Sequence, residues 1–428
     1  MQVYQYPKRS DWQVLLQRPV MNTAALEGSV KNILQEVKQQ GDAAIKKFTL
    51  QFDKANIDNV VVADSAFLIA QQSLDAKLKA AILSAKVNIE TFHKTQLTTP
   101  EVIETMPGVQ CWRKSVAIEK VGLYIPGGTA PLFSTILMLG IPAKLAGCKE
   151  IILCSPPDAN GQLHPAILFA AKAVGITQVF KVGGVQAIGA MAYGTATIPA
   201  VSKIFGPGNQ YVTCAKQLVQ QDGLAIDMPA GPSEVAVYAD ESANAAFVAA
   251  DLLSQAEHGS DSQVVLVSCS LAVVNSIEQE INKQVEALPR KDIALKALAN
   301  SKLILVENEA EAIDMLNEYA PEHLIISCNN PAPIAEQIIN AGSVFLGHYS
   351  PESVGDYASG TNHTLPTNGY AKAYSGVSVD SFVKKITFQQ LTQEGLQNIS
   401  KTVIAMAEAE GLQAHANAVK VRLSPPTP

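Results

Sequence analysis

The chain has 428 residues, more than one ordinary core accommodates, so two or more domains are expected. Hydrophobic residues make up 47% and charged residues 17%, the balance of a well-buried globular protein, with nothing low-complexity beyond the closing SPPTP. A net charge of −7, with no Lys/Arg cluster longer than a pair, argues against a nucleic-acid or anionic-membrane partner.

The N-terminus, MQVYQYPKRSDW, has no apolar core segment, so no secretory signal is expected. The most apolar stretch, PLFSTILMLGIPAKLAGC, is broken by Pro142 and Lys144 and reads as a buried helix, not a membrane span. None of Cys111, Cys148, Cys154, Cys214, Cys269 and Cys328 forms a C-x-x-C, and most lie in apolar runs. Reduced, buried thiols in a cytoplasmic protein are expected.

Residues 24–96 read as helical, in LEGSVKNILQEVKQQGDAAIKKF and then AKLKAAILSAKVNIETFHK. From about residue 120 to 350, short apolar runs alternate with helical patterns. The runs are 121–125, 150–155, 179–182, 234–239, 263–268, 302–307, 323–327 and 343–347. They are rich in Val, Ile and Leu without polar alternation, as expected of parallel strands covered on both faces. Helices are expected at 164–175, 209–220, 243–258 and 308–320. The fold class is therefore α/β, with two Rossmann-like parallel-sheet domains and small tail elements at both ends. The tail from about 378 reads as amphipathic helix. Three Gly-rich turns follow strands and lead into helices: 126–128, 183–184 and 206–209. Glycine there lets a ligand approach the backbone, and the helix N-terminus favours an anion such as pyrophosphate. No G-x-G-x-x-G is present, so each turn alone reads equally as a tight connection.

Residues suited to metal binding and acid–base chemistry crowd into the second half, and five of the seven histidines lie beyond residue 257. Gln255 and His258 end a predicted helix, DLLSQAEHG, on one face of it. Alone, a histidine at a helix end is more often a surface residue that compensates the helix dipole. Glu322 and His323 form an adjacent acid–base pair after Pro321, at a helix-to-strand junction. Adjacent side chains diverge, so the two suit different protons or waters. Asp356 and His363 lie in the run 348–369, read as a long loop without secondary structure and hence a functional one. Glu410 and His415 flank a helix break at Gly411. Nitrogen and oxygen donors with no thiolate suit a catalytic divalent metal with an open position, not a closed structural zinc. The segment 226–237, IDMPAGPSEVAV, reads as a rigid ligand-facing loop or an ordinary turn.

Together IDMPAGPSE, SQAEHG, APEHL, VGDYASGTNHTLPT and a late LQAH resemble the histidinol dehydrogenases, as do VGLYIPGG and FGPGNQYV. The resemblance runs in order from WQVLLQRP to His415. It implies oxidation of L-histidinol to L-histidine through histidinaldehyde, with two NAD and one zinc per subunit, at the last step of histidine biosynthesis. It also implies zinc held by Gln255, His258 and Asp356, with His415 supplied by the partner subunit of a homodimer. Glu322 and His323 would be the acid–base pair. Ser233, His363 and Glu410 would contact substrate, Glu410 again across the dimer, alongside His323 and the zinc-binding side chains. Tyr124, Gln186 and Asn209 would contact NAD. On the same basis, 24–120 and 235–377 would form the larger domain with the zinc and substrate site. Residues 121–234 would form an inserted NAD-binding domain, and 1–23 with 378–428 would be dimerisation tails.

Three rival readings remain at this level. One is an aldehyde dehydrogenase with Cys214 as nucleophile, for which YVTCAKQ offers Lys216 but no activating histidine. The others are a zinc hydrolase without NAD, which leaves the Gly-rich turns idle, and a non-catalytic metal-binding protein. NAD binding separates a dehydrogenase from both of these.

Overall fold

The structure, a computed structural model, describes residues 1–19, 23–127, 131–229 and 231–424. Gly128 of the first Gly-rich turn, Ala230 and residues 425–428 lie outside the described residues. Two parallel sheets form the frame. One has six strands in the order Gln2–Gln5, Lys302–Leu305, Gln263–Ser268, Glu234–Ala239, His323–Ser327, Ser343–Leu346. The other has five, in the order Gln178–Lys181, Glu150–Ser155, Lys120–Tyr124, Lys203–Phe205, Ala225–Ile226. All eight apolar runs are strands of these sheets, and Glu234–Ala239 and Gln263–Ser268 are buried at every position.

Both sheets are covered on both faces, which is why their strands lack polar alternation. In the five-stranded sheet Val121, Leu123, Ile151 and Leu153 pack to one side, while Tyr124, Ile152 and Cys154 pack to the other. In the six-stranded sheet Val235 and Val237 face one core, Ala236 and Tyr238 the other.

The N-terminal helices cover the five-stranded sheet, not the six-stranded one. Helices Thr23–Gln40 and Asp42–Asp53 place Val30, Leu34, Val37, Ile45 and Phe48 against Ile152, Phe180 and Ile204. Helices Asp64–Ser73 and Ala76–Lys94 place Phe67, Ile82 and Ile89 against Val121, Leu123 and Leu153 on the opposite face. The division expected from the sequence therefore differs from the packing. An apolar helix stripe says that a sheet will be covered, not which sheet. Residues 1–19 likewise do more than form a tail, since Gln2–Gln5 is an edge strand and Trp12, Leu15 and Leu16 enter the core.

The C-terminal region is not wholly helical. Val383–Leu391 pairs antiparallel with Val109–Ala117, which pairs in turn with Val102–Met106. Trp112 and Phe388 sit opposite each other and stack at 5.4 Å. Helices Gln393–Ala409 and Gln413–Leu423 follow as a hairpin.

Asp53 offers a test of the packing beneath the five-stranded sheet. It ends its helix half-buried, one carboxylate oxygen has no hydrogen-bond partner, and burial lifts its pKa from 3.8 to about 6. The folded pKa lies above the unfolded one, so the penalty is absent below pH 3.8 and full above pH 6. Asp53→Asn should stabilise the protein by about 1 kcal/mol at pH 8, after discounting for solvent screening, with a gain shrinking toward zero near pH 4. Urea unfolding at both pH values checks this, and an equal gain at both would count against the assignment.

Candidate active site

The two sheets meet at a cleft of about 530 Å³. Its one wall comes from the carboxyl ends of the five-stranded sheet, through Pro126 and the turn Gly206–Asn209. The other comes from the amino ends of the six-stranded sheet, through Ser233, Ser262 and Glu322, with His258 at the rim and His363 beside it. The first wall follows the general rule for open α/β sheets, which bind ligands outside the carboxyl strand ends near a reversal of strand order. The reversal lies between Lys120–Tyr124 and Lys203–Phe205.

Ala320, in the left-handed conformation at φ 51°, ends the helix Glu309–Tyr319 and turns the chain through Pro321 into the strand His323–Ser327. Glu322 and His323 are thereby fixed at the sheet edge, 6% and 3% exposed. Glu322 Oε2 accepts the Glu234 N–H at 3.0 Å and lies 3.6 Å from His323 Nδ1. His323 Nε2 lies 3.4 Å from Asp356 Oδ1. The Glu234 carboxylate is held by Arg18, which donates to it at 2.6 Å, donates to Tyr319 O at 2.6 Å and stacks on the Tyr319 ring.

Burial lifts the Glu322 carboxyl to about 8 against the pull of His323. Burial would lower His323, but the carboxylates of Glu352, Glu322 and Asp356 outweigh it and lift the imidazolium to about 10. Burial also works to raise Asp356, yet contact with His323 and its charge hold Asp356 below the usual range. A buried imidazolium thus sits among three carboxyl groups, of which Asp356 is the one held charged. Burial pushes His363 down, so its imidazole is neutral, with Nδ1 against Asp356 O at 2.7 Å and Nε2 against Thr135 Oγ1 at 3.0 Å.

Asp356 is not on an irregular loop. It lies on the short helix Glu352–Tyr357, four residues after Glu352 and so on the same face. The Pro351 preceding that helix and the Glu-x-x-x-Asp spacing were the available signal, and reading 348–369 as structureless hid Glu352. His258, Glu352 and Asp356 each bring a donor atom within 4.8 Å of the others. The Gln255 amide joins them. With its nitrogen donating to Glu352 Oε1 at 2.8 Å its oxygen accepts the Glu234 N–H at 3.0 Å. Turned over, its nitrogen faces Glu322 Oε2 at 3.4 Å and His323 Nδ1 at 3.5 Å, leaving the oxygen toward Glu352. Buried Glu352 Oε2 and Asp356 Oδ1 make no hydrogen bond. Buried oxygens without hydrogen bonds, beside an imidazole and an amide, fit a divalent cation.

The chain matches the family model described as histidinol dehydrogenase over residues 16–423. It is 60% identical over 423 residues to the histidinol dehydrogenase of Bacteroides fragilis, covering 99% of each chain. It is 50% identical to that of Vibrio parahaemolyticus, covering 98% of this chain and 97% of the other. The crystal structure of histidinol dehydrogenase from Elizabethkingia anophelis superposes with a TM-score of 0.97 at 53% identity, covering 99% of this chain and 98% of that one.

The chain belongs to the histidinol dehydrogenase family. It is accordingly an oxidoreductase of histidine biosynthesis. The fold brings together Gln255, His258, Glu322, His323, Asp356 and His363, with Ser233 on the cleft wall. It does not bring Glu410 and His415 to them: both are exposed on the C-terminal hairpin and neither lines this subunit's cleft. Tyr124 and Gln186 lie buried beneath the turn 183–184. Tyr124 Oη accepts the Gly184 N–H at 3.1 Å, and burial pushes its phenol up to about 12. Both amide atoms of Gln186 lack partners. Asn209 lines the cleft, but its Oδ1 caps the helix Gln210–Gln221 through Tyr211 N and Val212 N. Cys214 is a thiol raised by burial, which removes the support for a cysteine nucleophile.

Lys216 and Asp227, unassigned from the sequence, set the shape of the turn at Gly206. They form a buried ion pair, Lys216 Nζ donates to Gly206 O at 2.9 Å, and Asp227 Oδ2 accepts the Gly206 N–H at 2.8 Å. Only glycine fits there: φ is +129° and a Cβ would lie 2.0 Å from Tyr124 O. Lys216→Met leaves the Asp227 carboxylate buried and unpaired, so it should cost about 3–5 kcal/mol in urea unfolding, partly recovered by adding Asp227→Leu. A loss below about 1 kcal/mol would show the pair to be dispensable.

Proposed function

We propose that this chain oxidises L-histidinol to L-histidine through histidinaldehyde, using two NAD and one zinc per subunit. It would act in the cytoplasm, as a homodimer with shared sites. The observation that carries this reading is the buried Glu322–His323–Asp356 chain, set beside the Gln255 and His258 donors across a cleft from the Gly206 turn. Six unpaired cysteines suit a reducing compartment.

Gln255, His258 and Asp356 would hold the zinc, joined by His415 of the partner subunit. The exposure of Glu410 and His415 supports their reaching a second subunit's site. When bound, zinc would supply a Lewis-acidic template for the substrate's imidazole and amine, and a positive charge offsetting the carboxylates around His323. With that charge in place His323 would shed its resting proton, and the neutral imidazole takes the hydroxyl proton as hydride leaves the carbinol carbon for NAD. Glu322 activates the water that adds to the aldehyde, and the hydrate loses a second hydride to a second NAD. The alcohol oxidation releases one proton and the aldehyde oxidation two, and the added water supplies the second carboxylate oxygen. His363 and Ser233 line the substrate side, and the buried site shields the aldehyde between steps. NAD would lie along the turns over Tyr124, Gln186 and Asn209, where helix N-termini favour pyrophosphate.

The first test is NADH formed per L-histidinol at exhaustion. Two NADH are expected, lost on chelation and restored by zinc. One NADH would end the reaction at the aldehyde and remove the role of Glu322, and none in zinc-loaded protein would remove histidinol as substrate. The shared site has its own test. Mixed His415→Asn and Glu322→Gln subunits should regain part of the activity through hybrid dimers with one intact site. No recovery after proven subunit exchange would place the whole site within one chain.

A further inference from the structure

We propose that Thr135 is a positioning residue for substrate binding, its hydroxyl fixing the plane of the His363 ring. The inference rests on the reading of this cleft as the histidinol site. His363 lines the cleft, whereas Thr135 lies behind its wall, 1% exposed. Thr135 belongs to the helix Phe133–Ala146, whose Ile136, Leu137 and Leu139 pack with Val121 and Leu123 of the five-stranded sheet. His363 follows the helix Glu352–Tyr357, whose Gly355 lies against Phe345 of the six-stranded sheet. One hydroxyl thus registers a substrate-facing histidine of one half of the cleft against the other half.

The ring is held at both nitrogens. Nδ1 lies 2.7 Å from Asp356 O, and a backbone carbonyl only accepts, so Nδ1 carries a hydrogen. In the neutral ring Nε2 is then an acceptor, and the Thr135 hydroxyl, 3.0 Å away, donates to it. Bonds on both sides of the imidazole stop it turning about its own axis, so the substrate meets a ring already fixed in plane. The chain beside His363 is pinned separately. Asn362 Nδ2 donates to Met138 O of the same helix at 2.6 Å and to Nε2 of the buried His93 at 3.4 Å. Asn362 Oδ1 accepts the Thr364 N–H at 2.9 Å. Removing the Thr135 hydroxyl therefore frees the ring and leaves the backbone around it in place. It also leaves Nε2 without its partner, so the ring turns to find another and its fixed face toward the substrate is lost.

A merely structural role for Thr135 would loosen the whole cleft and weaken both substrates alike. The experiment is steady-state kinetics of the zinc-loaded enzyme carrying Thr135→Val, which keeps the shape of threonine and removes the hydroxyl. Thr135→Ser restores the hydroxyl, and His363→Asn supplies a second background. We expect Thr135→Val to raise KM for L-histidinol about 10-fold, with kcat and KM for NAD within about twofold of wild type. Thr135→Ser should bring KM for L-histidinol back to within about threefold. On the His363→Asn background Thr135→Val should cost less than about twofold, because the ring it positions is gone. An equal cost on both backgrounds, a parallel rise in both KM values, a loss confined to kcat, or no loss would overturn the proposal while leaving the activity in place. No NADH from L-histidinol with wild type would overturn both. If Thr135→Val fails to fold, Thr135→Ala takes its place in the same comparison.

Discussion

The site depends on the burial of three carboxylates around one imidazole at the edge of a parallel sheet. Isolated charges in such a place would neutralise or unfold the region. Here burial pushes Glu322 and Glu352 up to about 8, and Asp356 stays charged because the His323 imidazolium lies against it. The resulting proton distribution is unusual, with Glu322 neutral to about 8 and His323 charged to about 10. In this resting state both groups must shed a proton before either can act as a base, and a cation beside them favours that loss. Structural stability is given up locally for chemistry, as expected where functional groups override packing rules.

The second constraint is the way the sheets are joined. The five-stranded sheet offers its carboxyl ends, where turns into helices expose backbone N–H groups. The six-stranded sheet offers its amino ends, where Ser233, Ser262 and Glu322 precede their strands. One wall thus suits an anionic cofactor and the other carries carboxylates and imidazoles. Both are held from behind by buried ion pairs: Lys216 and Asp227 pin Gly206, and Arg18 pins Glu234. Arg18 comes from the first twenty residues, so the N-terminal segment is tied to the chemistry through one guanidinium that donates to Glu234 and to Tyr319 O.

Much of this was legible in the sequence. The eight Val/Ile/Leu runs announced themselves because a strand covered on both faces has no other composition. Gln255 and His258 stood out by helical spacing, and Glu322–His323 by an acid–base pair after a proline. The antiparallel sheet was not legible, because Val109–Ala117 is half-exposed and mixes Trp112, Arg113 and Lys114 with apolar residues, so no period emerges. The strands Lys203–Phe205 and Ala225–Ile226 are too short to carry a pattern. Helix-to-sheet assignment failed for Thr23–Lys94 because amphipathicity records burial without naming the partner. Glu352 escaped for a related reason: a helix of six residues leaves no periodic trace, and without it the i, i+4 relation to Asp356 is invisible.

Glu410 and His415 pose the remaining structural question. Polar residues at a break between two helices would ordinarily be solvated surface, and in one subunit that is what they are. Their hairpin is nonetheless built with care. Helix Gln393–Ala409 is capped by the Thr392 side chain, and the Gly108 and Gly395 backbones approach so closely that no Cβ fits between them. Ala416 is fully buried beside an exposed His415, which orients the imidazole outward from a fixed base. A rigid arm that presents an imidazole and a carboxylate to solvent has a use if a second subunit's cleft lacks a donor of that kind. The cleft described here has donors from Gln255, His258 and Asp356 and an open mouth at His258. Dimerisation would then complete the centre as well as cover surface, and the arm's rigidity would matter more than its own buried area.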